Sequence, residues 1–262
     1  MILRIGHVPY LNMVPFHQGF GPGPMEIDGR TLEFHSMSPR AMGLEAEKGL
    51  VDAGALSLVD WLKCSTHYEP IGRFGIGVKR PAGSVLLFSR VPLAYLEGMC
   101  AVTDETSTSF RLLQILLEKR YNRTTITFGR IASSMLFDGS AESVLLIGDE
   151  ALRAKAEGVK GLPLVTDLGE EWFRWHNLPF VFARWVIRTG IRQEVKDRIE
   201  DALETSLLST QTNIESLALS ESFKRQFPAP VIKSYWNGFA YRLTPEHERS
   251  IRLFQELIAL YV

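Results

Sequence analysis

Short apolar runs of strand length, each followed by a helix-type pattern, constrain this chain more than any other feature. They fall at Ile2–Val8, Leu32–His35, Ala53–Leu56, Ser84–Phe88, Met99–Val102, Thr124–Phe128, Val144–Ile147 and Phe180–Ile187. Such alternation predicts an α/β fold with largely parallel sheets. The 262 residues are enough for one large domain or two modest ones, and either can bury a sizeable core. No internal repeat or low-complexity segment breaks the pattern.

In open α/β sheets, ligands collect at the carboxyl ends of the strands, so the corners after each run carry the functional expectation. The first run ends abruptly at Pro9 and Pro15, and the turn between them presents one amide, Asn12, either to a ligand or to its own backbone through an Asx bond. Ser38, followed by Pro39 at the first helical position and by Gly49 past the end, predicts a helix from Ser38 to Lys48. Asp104 to Ser109 follows a strand and opens a helix with Phe110, Leu113, Leu116 and Leu117 on its apolar side. Thr106, Ser107, Thr108 and Ser109 put four hydroxyls at that helix start, where unpaired N–H groups and a partial positive charge suit a carboxylate as well as a cap. Gly148 and Asp149 form a third polar corner, and Ser84 sits at a strand start beside Pro81-Ala82-Gly83.

Composition narrows the ligand classes. With 45% hydrophobic residues, 23% charged residues and a net charge of -1, no dominant attraction to nucleic acid or to an anionic membrane is expected. A small molecule is the expected partner. Cys64 and Cys100 lack metal-type spacing, and the six histidines show no pair at ligand spacing on a helix, so neither a disulfide framework nor a metal site is expected. The start of the chain lacks a leader pattern and no run is long enough to span a membrane, which predicts a cytoplasmic protein. No phosphate loop, G-x-G-x-x-G, H-E-x-x-H or G-x-S-x-G cassette is present, and no cofactor is expected. Trp172, Phe173, Trp175, Phe180, Phe182 and Trp185 fit either an aromatic pocket wall or core packing, and Arg184 is aimed at an anion or at water. Beyond them, one long helical pattern from Gln193 to about Ser220 and a last helix begun at Thr244-Pro245-Glu246 read as packing, the latter through Ile251, Phe254, Leu257, Ile258 and Tyr261.

Five segments taken in order resemble the chorismate dehydratase family of the futalosine route to menaquinone. They are Val8-Pro9-Tyr10-Leu11-Asn12, Gly83 to Ser89, Thr103-Asp104 through Ser109, Leu146-Ile147-Gly148-Asp149, and Asp167 to Trp172 with Leu178 to Ala183. The related enzyme acting later on that route carries a Ser-Pro-Cys-Pro-Asn-Asp-Thr segment after its first strand, which this chain replaces with Val8 to Met13. Two positions depart from the family pattern. Leu56-Ser57-Leu58-Val59-Asp60-Trp61 stands where a Ser-x-Glu-Tyr-like segment is usual, and Arg184 where an apolar residue is usual.

The resemblance implies a type II periplasmic-binding-protein-like fold, two α/β lobes closing on a central ligand cleft. The lobes are expected at residues 1–88 plus 188–262 and at 89–187, with crossing segments near Ser84–Arg90 and Ala183–Arg188. It implies cofactor-independent removal of water from chorismate, with Asn12 and Ser84 as catalytic residues. Tyr10, Ser38, Ser57, Thr106 to Ser109, Gly148 and Asp149 are the expected substrate-binding set, with Asp149 the rival general base. A non-catalytic cytosolic binding protein or sensor for a small aromatic or dicarboxylic acid is the alternative.

Overall fold

The computed structural model describes residues 2–20, 26–132 and 141–259. Its strands are β1 (Ile2–His7), β2 (Glu26–Ile27), β3 (Arg30–Ser36), β4 (Ala53–Ser57), β5 (Tyr68–Val78), β6 (Val85–Ser89), β7 (Met99–Thr103), β8 (Thr127–Ile131), β9 (Ser143–Ile147), β10 (Leu164–Asp167), β11 (Phe180–Arg188) and β12 (Phe239–Arg242). The helices are α1 (Pro39–Glu47), α2 (Leu58–Lys63), α3 (Thr108–Ile115), α4 (Gly148–Glu157), α5 (Leu168–His176), α6 (Gln193–Thr212), α7 (Ile214–Arg225), α8 (Ala229–Asn237) and α9 (Pro245–Ile258).

The chain divides into two compact units, Met1–Gly77 with Ala183–Leu243 and Val78–Phe182 with Thr244–Val262. The divisions fall within β5, within β11 and just before α9, whereas the bounds expected from the sequence are 88 and 188, with the last helix in the first lobe. Tyr261 lies outside the described residues.

The sheets are mixed rather than largely parallel. A seven-stranded sheet, in the order β12-β5-β11-β4-β1-β3-β2, forms the first unit, although Val78 of β5 and Phe180–Phe182 of β11 count with the second. β1 pairs in parallel with β3 and β4, while β11 runs antiparallel to β4. The second unit holds a five-stranded sheet in the order β10-β6-β9-β7-β8, with β7 parallel to β8 and β9, and β6 antiparallel to β9 and β10. β4, β6 and β9 are buried at every position, as expected of inner strands covered by helices on both faces.

Packing claims the aromatic stretch. Trp172 and Phe180 meet Phe254 of α9 with ring centroids 5.7 and 5.0 Å apart, and the Trp172 indole N–H donates to Ser250 Oγ at 2.9 Å. Trp185 packs instead in the first unit, against Phe16 at 5.7 Å and Phe20 at 6.5 Å. The expected strand at Thr124–Phe128 is displaced to Thr127–Ile131, and the long pattern after Gln193 is two helices broken at Asn213.

Candidate functional site

In the first unit the carboxyl ends of β1, β3 and β4 share one sheet edge, because the three strands are parallel. Past β1 the chain enters a 3-10 turn, Leu11–Phe16, which carries Asn12. Three helices hold that turn by its carbonyls. Thr210 of α6 donates to Pro15 O at 3.3 Å, Arg225 of α7 to Pro9 O at 3.0 Å, and Trp236 of α8 to Leu11 O at 2.7 Å. Asn12 Oδ1 is buried and accepts no hydrogen bond from the described residues, so the Asx reading of this amide fails. Tyr10, half-buried, opens the same turn, and its carbonyl accepts from Met13 N at 3.0 Å.

Ser38 and Ser57 lie at the same edge as N-caps of α1 and α2. The Ser38 hydroxyl accepts from Ala41 N at 3.3 Å, and Ser57 donates to Asp60 Oδ2 at 2.7 Å while accepting from Asp60 N at 3.4 Å. A side chain at Gly43 would overlap the Asp60 carboxylate, so the close approach of α1 to α2 requires glycine there. Arg184 is not solvated. It is 7% exposed and its guanidinium lies 5.1 Å from the centre of the Trp61 ring.

One pair at this edge escaped the sequence reading. His7, the last residue of β1, and His17 are hydrogen-bonded, Nδ1 to Nε2, at 2.9 Å. One ring must donate and the other accept, so the contact needs at least one neutral imidazole. Burial, then the neighbouring charge of His7, takes His17 down to about 3, and burial followed by the Arg225 charge also lowers His7. Their spacing of ten residues fits no helical motif, and only the fold of the turn brings them together.

In the second unit the ends of β7, β9 and β10 and the start of β6 share one edge, since β6 runs antiparallel to β9 and β10. Ser84, 1% exposed, stands immediately before β6, and its carbonyl accepts from Gly148 N at 2.9 Å. The turn before it is set by Gly83 at φ 74° and by Asp167, a residue quoted above only as part of a family segment. The Asp167 carboxylate accepts from Ala82 N at 2.9 Å and Gly83 N at 2.7 Å, and also caps α5 through Gly169 N at 3.0 Å and Glu170 N at 3.2 Å. Burial raises its pKa against the pull of these four donors.

The hydroxyl cluster opens α3, but only Thr106 caps it, accepting from Ser109 N at 3.2 Å. Thr106, Thr108 and Ser109 are buried, and Ser107 is half-buried. Arg130, missed by the sequence reading, stiffens this corner. Its Nη1 donates to Thr103 O at 2.9 Å and Thr106 O at 2.8 Å, and its guanidinium covers Phe110 at 4.3 Å. Gly148 begins α4 and half-buried Asp149 follows it. The N-termini of α3 and α4 thus share one edge with Ser84, an arrangement that favours anions, whereas the N-terminus of α5 is already occupied by the Asp167 carboxylate.

The structure therefore gathers Tyr10, Asn12, Ser38 and Ser57 at one sheet edge, and Ser84, Thr106–Ser109, Gly148 and Asp149 at another. Among the described residues, no three His, Cys, Asp or Glu side chains come together as metal ligands.

Protein AF1704 from Archaeoglobus fulgidus is similar over 99% of this chain and 97% of its own, with a TM-score of 0.81 at 15% identity. The periplasmic aliphatic sulphonate binding protein SsuA from Escherichia coli is similar over 99% of this chain and 86% of its own, with a TM-score of 0.66 at 15% identity. SsuA from Xanthomonas axonopodis pv. citri, bound to MOPS, gives 0.70 at 12% identity, with 99% and 92% covered. These likenesses establish a periplasmic-binding-protein-like fold. The profile of the menaquinone biosynthesis family matches residues 3–259, nearly the whole sequence, and this chain belongs to that family.

Proposed function

We propose that the protein is a chorismate dehydratase, eliminating water from chorismate to give 3-[(1-carboxyvinyl)oxy]benzoate. The observation that carries this reading is the collection of Ser84, the Thr106–Ser109 hydroxyls and the N-termini of α3 and α4 at one sheet edge, in a chain of the menaquinone biosynthesis family. Such an edge suits a ring carboxylate that gathers charge during reaction.

The C3 proton and the C4 hydroxyl leave together as water and the ring becomes aromatic. The ring carboxylate activates the C3 proton through the intervening double bond, so holding the reactive conformer supplies much of the catalysis. The enolpyruvyl carboxylate of the substrate accepts the proton. Asn12 orients the substrate or the departing hydroxyl through its unsatisfied Oδ1, Ser84 hydrogen-bonds the reacting region, and Thr106–Ser109 receive a carboxylate. Asp149 is the alternative base, within the same corner as Gly148.

Purified protein mixed with chorismate is expected to yield a product lighter by one water, with excess chelator present and no cofactor added. A chorismate analogue lacking the enolpyruvyl carboxylate is expected to bind and to lose water very slowly, while Asp149→Asn keeps appreciable activity. Loss of turnover in Asp149→Asn with intact binding, together with a reactive analogue, would assign the base to the protein. The likeness to sulphonate-binding proteins supports a second reading, a small-acid binding protein or sensor. Chorismate that binds and is never converted decides for it.

A further inference from the structure

At the opposite edge of the first unit's sheet lies a cavity of about 690 Å³. It is bounded by Arg30 at the start of β3, Tyr68 at the start of β5, Lys48 just past α1, and Arg188, the last residue of β11. His67 and Ile191 also line it. Since β1, β3 and β4 run in parallel away from this edge, a molecule held here is separated from the Asn12 edge by the length of β4, roughly 17 Å for five residues.

The charges around the cavity do not cancel. Asp52 accepts from Arg4 Nε at 3.1 Å and pairs with Arg188 Nη2 at 2.7 Å, so two guanidinium groups share one carboxylate. Arg30 forms no ion pair among the described residues, and Lys48 reaches only the half-exposed Glu45 at 2.9 Å. Among the described residues Glu47 is the one acidic residue in the wall, and it faces Lys63 at 3.9 Å. Three carbonyls beside this wall that would repel an anion are already engaged. Val51 O accepts from Tyr68 OH at 2.6 Å, Ala46 O from Gly49 N at 2.9 Å, and Gly49 O from Arg4 Nη2 at 3.0 Å. What remains turned to the cavity is a surplus of cationic donors, and its volume lies within the range of small-molecule sites.

We propose that this cavity is a second binding site, for a small anion bearing two or more phosphate or carboxylate groups. Arg30 offers a forked donor suited to either group, Arg188 adds the guanidinium N–H groups not spent on Asp52, and Lys48 and His67 add single donors on the rim. The site lies outside the proposed catalytic residues and does not depend on their assignment.

The test is calorimetric titration of the full chain at low ionic strength, with pyrophosphate in one arm and citrate in the other. Saturable one-to-one binding is expected for at least one of them, and the tighter arm identifies the acidic group. Arg30→Glu and, separately, Lys48→Glu are each expected to weaken that binding at least about tenfold, without change in chorismate turnover or unfolding midpoint. Absence of saturable binding in both arms would overturn the site. So would binding that is indifferent to both substitutions, or binding lost in Asn12→Ala or Ser84→Ala, which would place the anion at the proposed catalytic residues instead.

Discussion

At the scale of single residues, Asn12 and His17 make opposite demands on the fold. A buried acceptor with no donor costs about 1–3 kcal/mol, so Asn12 is retained against stability. Asn12→Ala is therefore expected to leave the unfolding midpoint unchanged or raised while lowering kcat by about 100-fold, the cost of one contact that strengthens at the reacting centre. Ser84→Ala should show a similar loss of kcat with a near-normal midpoint, and near-normal kcat in both variants removes the pair from the mechanism. His17 works the other way, since its neutral form is the folded form. Its pKa falls from 6.5 to about 3 on folding, so the unfolded chain binds the extra proton between those values. That stability is fully present above pH 6.5 and is lost as pH falls, by up to about 1.4 kcal/mol per pH unit. His7, His176 and His247, all lowered chiefly by burial, add to the slope. Urea unfolding from pH 7 to 4.5 should show the decline, and His17→Phe should flatten part of it. An unchanged slope in that variant would mean His17 titrates normally.

Among the elements, caps and corners were legible in the sequence where a local rule applied, and strands were lost where local rules misled. Ser38 caps α1 within one residue of the expected start, and Ser84 does precede a strand. β5 went unread because Pro70, Gly72, Gly75 and Gly77 punctuate it like a loop, although it runs for 11 residues. The 3-10 turn carrying Asn12 and the His7–His17 contact depend on helices about 200 residues later, which no window on the sequence can see. Asp167 shows the same limit, since its capping role is local and its grip on Ala82 and Gly83 is not. Asp167→Ala should cost about 2 kcal/mol or more through the cap and the turn together. It should also lower kcat more than it raises KM, because Ser84 loses its setting. Thermal unfolding alongside steady-state kinetics separates the two effects, and a variant that loses stability alone would confine Asp167 to a structural role. Gly43→Ala should destabilise by about 1–3 kcal/mol, since the added methyl drives Asp60 off Ser57.

At the scale of the whole molecule, the α/β class is legible in the order of elements and the discontinuous plan only in the family resemblance, while the ownership of the last helix is legible in neither. An amphipathic stripe announces that α9 is buried and says nothing about its partner. Ser250 and Phe254 supply that partner by meeting Trp172 and Phe180 in the second unit. A chain stopped after Leu243 should therefore lose protection around Trp172 and α5 in hydrogen exchange, with the β1–β3–β4 region largely spared. Equal loss in both regions would show that the units unfold as one.

The passage of the chain out of the second unit and back also sets a timetable for its synthesis. Neither unit is complete when the ribosome has finished residue 182, because the first still awaits α6 to α8 and the second awaits α9. At roughly 5–20 residues per second, the stretch to residue 258 occupies a further 4–15 s or so. Through that interval the faces of Trp172 and Phe180 that α9 will cover stand open on the nascent chain. A cell making this protein must therefore shelter an aromatic surface until the closing segment emerges, a burden that falls on chaperones rather than on the finished molecule.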